Sequence, residues 1–163
     1  TVVDSIMYSN SATEAGGSIF LGVGNTMNLT NTVIRDGAVG LCGGALASFD
    51  NNELHLQNDS LVRNVAIAFG GAMCFQGYTD VYVQHSLLLE GNLASVAGGA
   101  ISSTSSPMWS MQSSETKMFV RGNYAQRGSA WYFRDVQDIA NDTTRRQGYV
   151  EFSNNVASVG GTV

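Results

Sequence analysis

The chain has 163 residues, of which 44% are hydrophobic and only 13% charged, with 19 Gly, a single Pro and a formal net charge of −5. Eight Lys and Arg supply no basic field for a phosphate backbone or an anionic membrane surface, which excludes nucleic acid as the expected partner. No apolar run approaches the roughly 18 to 20 residues that insert across a bilayer, and Cys42 and Cys74 alone make neither a disulfide framework nor a zinc site of paired spacing.

Taken in chain order, the elements repeat. The first unit runs through Met7, Asn10 and Ala12 to Gly16-Gly17, then Ser18 and Ile19, then the alternating pair Met27 and Leu29. The second has Ile34, Gly37 and Val39, then Gly43-Gly44, Ala45 and Leu46, then Leu54 and Leu56. The third has Leu61, Asn64 and Ala66, then Gly70-Gly71, Ala72 and Met73, then Val81 and Val83. Leu89, Asn92, Ala94, Gly98-Gly99, Ala100, Ile101, Trp109 and Met111 make the fourth. Val120, Asn123, Ala125, Gly128-Ser129, Ala130 and Trp131 follow, and then Phe152, Asn155, Ala157 and Gly160-Gly161. Successive first glycines are 27, 27, 28, 30 and 32 residues apart, a constant unit lengthened by loop insertions.

Each unit therefore holds three short segments of two-residue apolar alternation, parted by Gly- and Asn-rich corners, and no pattern of period 3.6. Three strands per turn describe a β-helix coil. Equivalent side chains would stack at about 4.8 Å, so six coils would rise about 29 Å. The expectation is an all-β parallel solenoid of about six coils of 27–32 residues, filling 1–163 as one segment. An uncapped rod exposes unpaired edges, so further coils are expected at both ends.

Ile19, Leu46, Met73, Ile101 and Trp131 are the expected inward stack. Asn10, Asn64, Asn92, Asn123 and Asn155 form a structural column with two readings: an amide ladder along the rod, or residues that tolerate a left-handed corner.

Phe152-Ser153-Asn154-Asn155 and the recurring Gly-Gly-Ala-[Ile/Leu/Met] resemble the paired FxxN and GGA[ILV] motifs of the polymorphic outer membrane protein repeat. That repeat is known from chlamydial autotransporter adhesins, with similar ones in surface proteins of algae and other protists. The resemblance spans essentially the whole chain. It departs from the motif at Gly37, at Ser129 and wherever an aliphatic residue replaces Phe. It implies a right-handed, pectin-lyase-like β-helix used for adhesion or surface architecture.

Asn28, Asn58 and Asn141 head N-glycosylation sequons that fall near the third strand of a unit and the turn after it. Cys42 and Cys74 are five positions and one layer apart in coil coordinates, and read as small buried hydrophobes rather than a disulfide. His55 is expected to face solvent and His85 to lie at a turn, with no triad partners for either. Arg134, Asp135 and Asp138 form the densest charge cluster, a weak match to carbohydrate-cleaving sites. Segments 102–114 and 135–147 carry the insertions, and projecting loops carry recognition more often than scaffolds do. Tyr78, Trp109, Tyr132 and Phe133 could supply an aromatic contact surface, with Trp109 on an inward column.

These readings make the chain a non-catalytic structural or adhesive segment, extracellular or on the cell surface, with no cofactor and no metal. Its expected partners are other coils or subunits of a surface or filamentous assembly, or a carbohydrate or neighbouring surface protein. The alternative is a carbohydrate-active β-helix, lyase or hydrolase, with Asp135, Asp138 and Glu151 converging on one face, or a carbohydrate-binding module with aromatics aligned along one sheet.

Overall fold

A computed structural model describes residues 1–105, 107–134 and 146–161, and every regular element among them is a β-strand. The strands form three parallel sheets that wind into a β-solenoid with three strands per coil. The first sheet holds the long strands, Thr26–Thr30, Asn52–Val62, Thr79–Glu90, Met108–Arg121 and Arg146–Ser153, with the short Val2–Val3, Ile6–Tyr8 and Val33–Arg35. The second sheet has six two-residue strands, from Ser11–Ala12 through Val65–Ala66 and Leu93–Ala94 to Val156–Ala157. The third has five three-residue strands, from Ile19–Leu21 to Trp131–Phe133. The described rod thus makes about five turns rather than six, because the third strand of the last unit would begin beyond Gly160-Gly161, where the described residues end.

Along the long strands of the first sheet period-2 alternation decides which side is buried, whereas Leu46–Ser48, Met73–Phe75 and Ile101–Ser103 are buried throughout, and the registers follow the sequence repeat. Ile19, Leu46, Met73, Ile101 and Trp131 are directly superposed, as are Met7, Ile34, Leu61, Leu89, Val120 and Phe152. Leu46, Met73 and Ile101 are 0% exposed, and full burial of such a side chain contributes roughly 2 kcal/mol. Ala45, Ala72, Ala100 and Ala130 are buried beside this stack, where small side chains let the sheets approach.

The two glycines of each pair have different jobs, clearest in the third unit. Gly70 turns the corner at φ +62°, in the left-handed region. Gly71 has ordinary φ, but a Cβ on it would lie 2.2 Å from the carbonyl oxygen of Gly99 in the next coil. The first glycine makes the bend, and the second lets coils stack at strand spacing.

The insertion expected across 102–114 is narrower in the structure. Asp80 through Val83 pair in unbroken register with Met108 through Met111, and the register then shifts so that Ser86 pairs with Lys117. Residues 112–116 therefore stand opposite only Gln84 and His85, three more than the neighbouring coil has, in a bulge of the strand where the Thr116 hydroxyl accepts from Ser113 N–H at 3.2 Å. Of the second insertion, only Arg146 and Gln147 lie within the described residues.

Candidate functional site

The Asn column is built from inside the rod. Asn92 Oδ1 accepts from Asn64 N–H at 2.9 Å and from Asn64 Nδ2 at 3.1 Å, and Asn123 and Asn155 repeat the geometry in the coils above. Each Nδ2 also donates to a carbonyl of the preceding coil, as Asn92 does to Leu61 O at 3.0 Å. The amide-ladder reading is thus the correct one. Left-handed backbone belongs to the residue before each Asn position, Ser9, Asp36, Arg63, Gly91, Gly122 and Asn154, at φ from +51° to +63°. Asn10 stands outside the ladder: Gly37 interrupts the column and takes the Asn64 Oδ1 bond through its own N–H, while Asn10 Nδ2 donates to Ser18 Oγ.

A second, exposed row follows the corner within the first sheet, where Asp4, Asn31, Asn58 and His85 all have φ between +48° and +57°. Asn31 Nδ2 donates to Asp4 Oδ1 at 2.8 Å, Asn58 Nδ2 to Asn31 Oδ1 at 3.3 Å, and Ser86 Oγ to Asn58 Oδ1 at 3.2 Å. The sequon residue Asn58 is exposed on this row, and Asn28 is half-buried in the middle of Thr26–Thr30. Asn141 lies outside the described residues. Asp59, beside Asn58, turns inward and is buried, where its carboxylate accepts Thr32 N–H and Gln57 N–H, both at 2.7 Å. Burial pushes its carboxyl up to about 6, against the opposing pull of the two backbone N–H groups.

Asn28, His55, Tyr82 and Ser110 form one row of the first sheet's outer face. The rings of His55 and Tyr82 stack at 4.7 Å, and His55 Nε2 is 3.7 Å from the Glu53 carboxylate. At the next corner Arg63 grips Asp36 through Nε at 2.9 Å and Nη2 at 3.1 Å, and Arg35 adds a bond at 2.8 Å. The Arg63 guanidinium, with help from Arg35, holds the Asp36 carboxyl below its ordinary range.

The cysteines correct the sequence reading, because Cys42 and Cys74 are joined by a disulfide with Cα atoms 5.6 Å apart. Counting positions along the coil separates them, but the glycine corner folds that distance away. Cys42 lies in register with Phe69, which directly precedes the Gly70-Gly71 bend, and a Cβ on Gly70 would be 3.0 Å from Cys74 Cβ. The residue before one bend and the residue four beyond the first glycine of the next thus meet apart from the central core cluster, with both cysteines buried. Gln76 Nε2 donates to Cys42 Sγ at 3.3 Å, and nearby an open depression of about 290 Å³ is lined by Glu14, Ala15, Phe20, Leu41, Phe49 and Gln76.

The aromatic residues divide by side. Trp109 lies edge-on to Phe75 and to Trp131 inside the rod, and Trp131 stacks on Phe133 at 5.0 Å. Of the four aromatics expected at a contact surface, that leaves Tyr132 and the exposed Tyr78 for an outer contact. Of the carbohydrate-cleaving trio, Asp135 and Asp138 lie outside the described residues, as does all of the charge cluster except Arg134. The Glu151 carboxylate accepts from Ser153 Oγ at 3.0 Å and Tyr149 OH at 3.3 Å. Among the described residues no three His, Cys, Asp or Glu side chains gather in a metal-holding group, and no helix is long and apolar enough to cross a membrane.

Comparison with family models, with curated proteins and with solved structures gives no match for this chain. The class that the geometry defines is a parallel β-solenoid.

Proposed function

We propose that this chain is a non-catalytic structural or adhesive segment of an extracellular or cell-surface protein, a stiff rod that presents corners and loops for contact. The observation that carries the reading is the disulfide between Cys42 and Cys74, which ties one coil to the next and is itself buried. Disulfides persist in oxidising compartments and are rare where glutathione keeps thiols reduced. The exposed sequon at Asn58 and the resemblance to the polymorphic outer membrane protein repeat point the same way. Further coils or subunits are the proposed partners, because each inward column is closed only by the coil stacked on it, as Val120, 0% exposed, is covered by Phe152. A carbohydrate or a neighbouring surface protein is the partner suited to the corner rows and loops.

The test is to trap thiols by alkylation during lysis of the source cells and to map the peptides without reduction. A peptide pair joined through Cys42 and Cys74 is the expected product. Recovery of both cysteines as alkylated thiols would place the protein in a reducing compartment and defeat the reading.

A further inference from the structure

We propose that the depression beside the disulfide is a binding site for a cationic side chain, an arginine borne by a basic segment of a partner protein. The site is independent of the compartment proposed above. Three units build it: Glu14, Ala15 and Phe20 from the first, Leu41 and Phe49 from the second, and Gln76 from the third. Phe20 stands in register with Ala47, whose small side chain leaves room for the Phe20 ring against Phe49, with centroids 4.9 Å apart and planes at 89°. Leu41, in the second unit, is 45% exposed, so apolar surface faces the opening. The disulfide fixes the walls: Leu41 adjoins Cys42, Gln76 lies just past Cys74, and Gln76 Nε2 donates to Cys42 Sγ.

The polar groups select the occupant. Glu14 is the one charged residue of the lining, so an anion meets no cationic side chain there. The backbone N–H groups of Phe49 and Gln76 are already given to Leu21 O and Ser48 O, and the turn of Gln76 Nε2 to sulfur leaves Oε1 as that amide's acceptor. An aromatic ring beside a carboxylate attracts a cation. A guanidinium adds a planar fork that donates to two acceptors while it stacks, which an ammonium does not. The surrounding charge agrees: the exposed Asp50 follows Phe49, and the first cation along the column Ala15, Cys42, Phe69 and Ala97 is Arg127, four strands or about 19 Å above Ala15. A formal net charge of −5 draws a basic partner at longer range. At about 290 Å³ the space falls below the roughly 300 to 1,000 Å³ of sites that enclose a whole small molecule, and suits one side chain presented on a longer chain.

The probe is an acetylated, amidated tri-arginine peptide titrated into the isotope-labelled chain, with tri-lysine and tri-citrulline peptides as its charged and neutral counterparts. Amide shifts read by NMR should centre on Leu41, Phe49 and Gln76 for arginine, weaken several-fold for lysine and vanish for citrulline. Glu14→Gln and Phe20→Leu should each weaken the arginine peptide about tenfold, with circular dichroism unchanged because both side chains are exposed. Glu53→Gln, which removes an exposed carboxylate of the first sheet, should leave the affinity as it was. Shifts spread over the acidic surface, or weakened equally by Glu53→Gln and Glu14→Gln, would reduce the attraction to net charge and overturn the proposal. So would citrulline binding as well as arginine, or the absence of any shift at millimolar arginine peptide.

Discussion

Asn92 and Asn64 are joined twice, with the Asn92 side-chain oxygen receiving both the backbone N–H and the Nδ2 of Asn64, and with both residues fully buried. Replacing Asn92 by Ala orphans the Asn64 N–H and removes the donor to Leu61 O. Buried groups left without partners cost about 1 to 3 kcal/mol each. Asn92→Ala should therefore lower stability by about 3 kcal/mol in urea titration. Asn10→Ala, outside the ladder and exposed, should change it by less than about 0.5 kcal/mol.

The glycines separate steric demand from backbone conformation. Gly71→Ala drives a Cβ to within 2.2 Å of Gly99 O, and the backbone atoms of Leu93 leave it no room to shift, at 2.6 Å. Gly24, by contrast, has φ +73° with nothing within 4 Å of a Cβ. Gly24→Ala should cost about 1 to 2 kcal/mol, the left-handed penalty alone. Gly71→Ala should exceed about 4 kcal/mol or abolish folding, with thermal melts as the readout. Equal effects at the two sites would refute this division of roles.

The inward columns and their registers were legible because a stacked coil keeps one residue at one offset: Leu46, Met73 and Ile101 follow directly from the spacing of the glycine pairs. The Asn column was legible as a column, but the choice between an amide ladder and a left-handed corner was not, since the left-handed conformation sits one residue earlier, at positions as unlike as Arg63 and Gly122. The disulfide was hidden because separation along a strand misjudges distance across a sharp bend, which brings Cys74 back over Cys42. Asp59 was hidden for another reason. Its neighbours mark an exposed sequon, and only the added corner residue at Asn58 turns its carboxylate inward.

That carboxylate makes stability depend on pH in an unusual direction. Burial raises the Asp59 carboxyl in the folded chain to about 6, above the roughly 3.9 of an unfolded Asp. The folded state then holds its proton more tightly than the unfolded state does. The resulting stabilisation is complete below about pH 4 and is lost as pH rises through 6. Asp36, held low by Arg63, acts in the opposite sense but is partly exposed and screened. Asp59→Asn keeps an acceptor for Thr32 N–H and removes the titration. The stability difference between the parent chain and this variant should shift in the parent's disfavour from pH 4 to pH 7, and an unchanged difference would rule out a raised carboxyl.

The disulfide closes a loop with a sequence separation of 32. Chain-entropy arguments give such a link about 4 kcal/mol. Reduction, or the pair Cys42→Ser with Cys74→Ser, should lower the urea midpoint accordingly while circular dichroism keeps its strand signature, because the columns remain.

The account depends above all on each unit bonding to the next. Scalar couplings transmitted through hydrogen bonds, measured by NMR on the isotope-labelled chain, read that pairing atom by atom. The amide nitrogens of Ile19, Leu46 and Met73 should couple to the carbonyl carbons of Ala45, Ala72 and Ala100, whose oxygens they meet at 3.0, 3.0 and 2.9 Å. Couplings from these amides to carbonyls of their own unit would contradict the stacked solenoid and everything inferred from it.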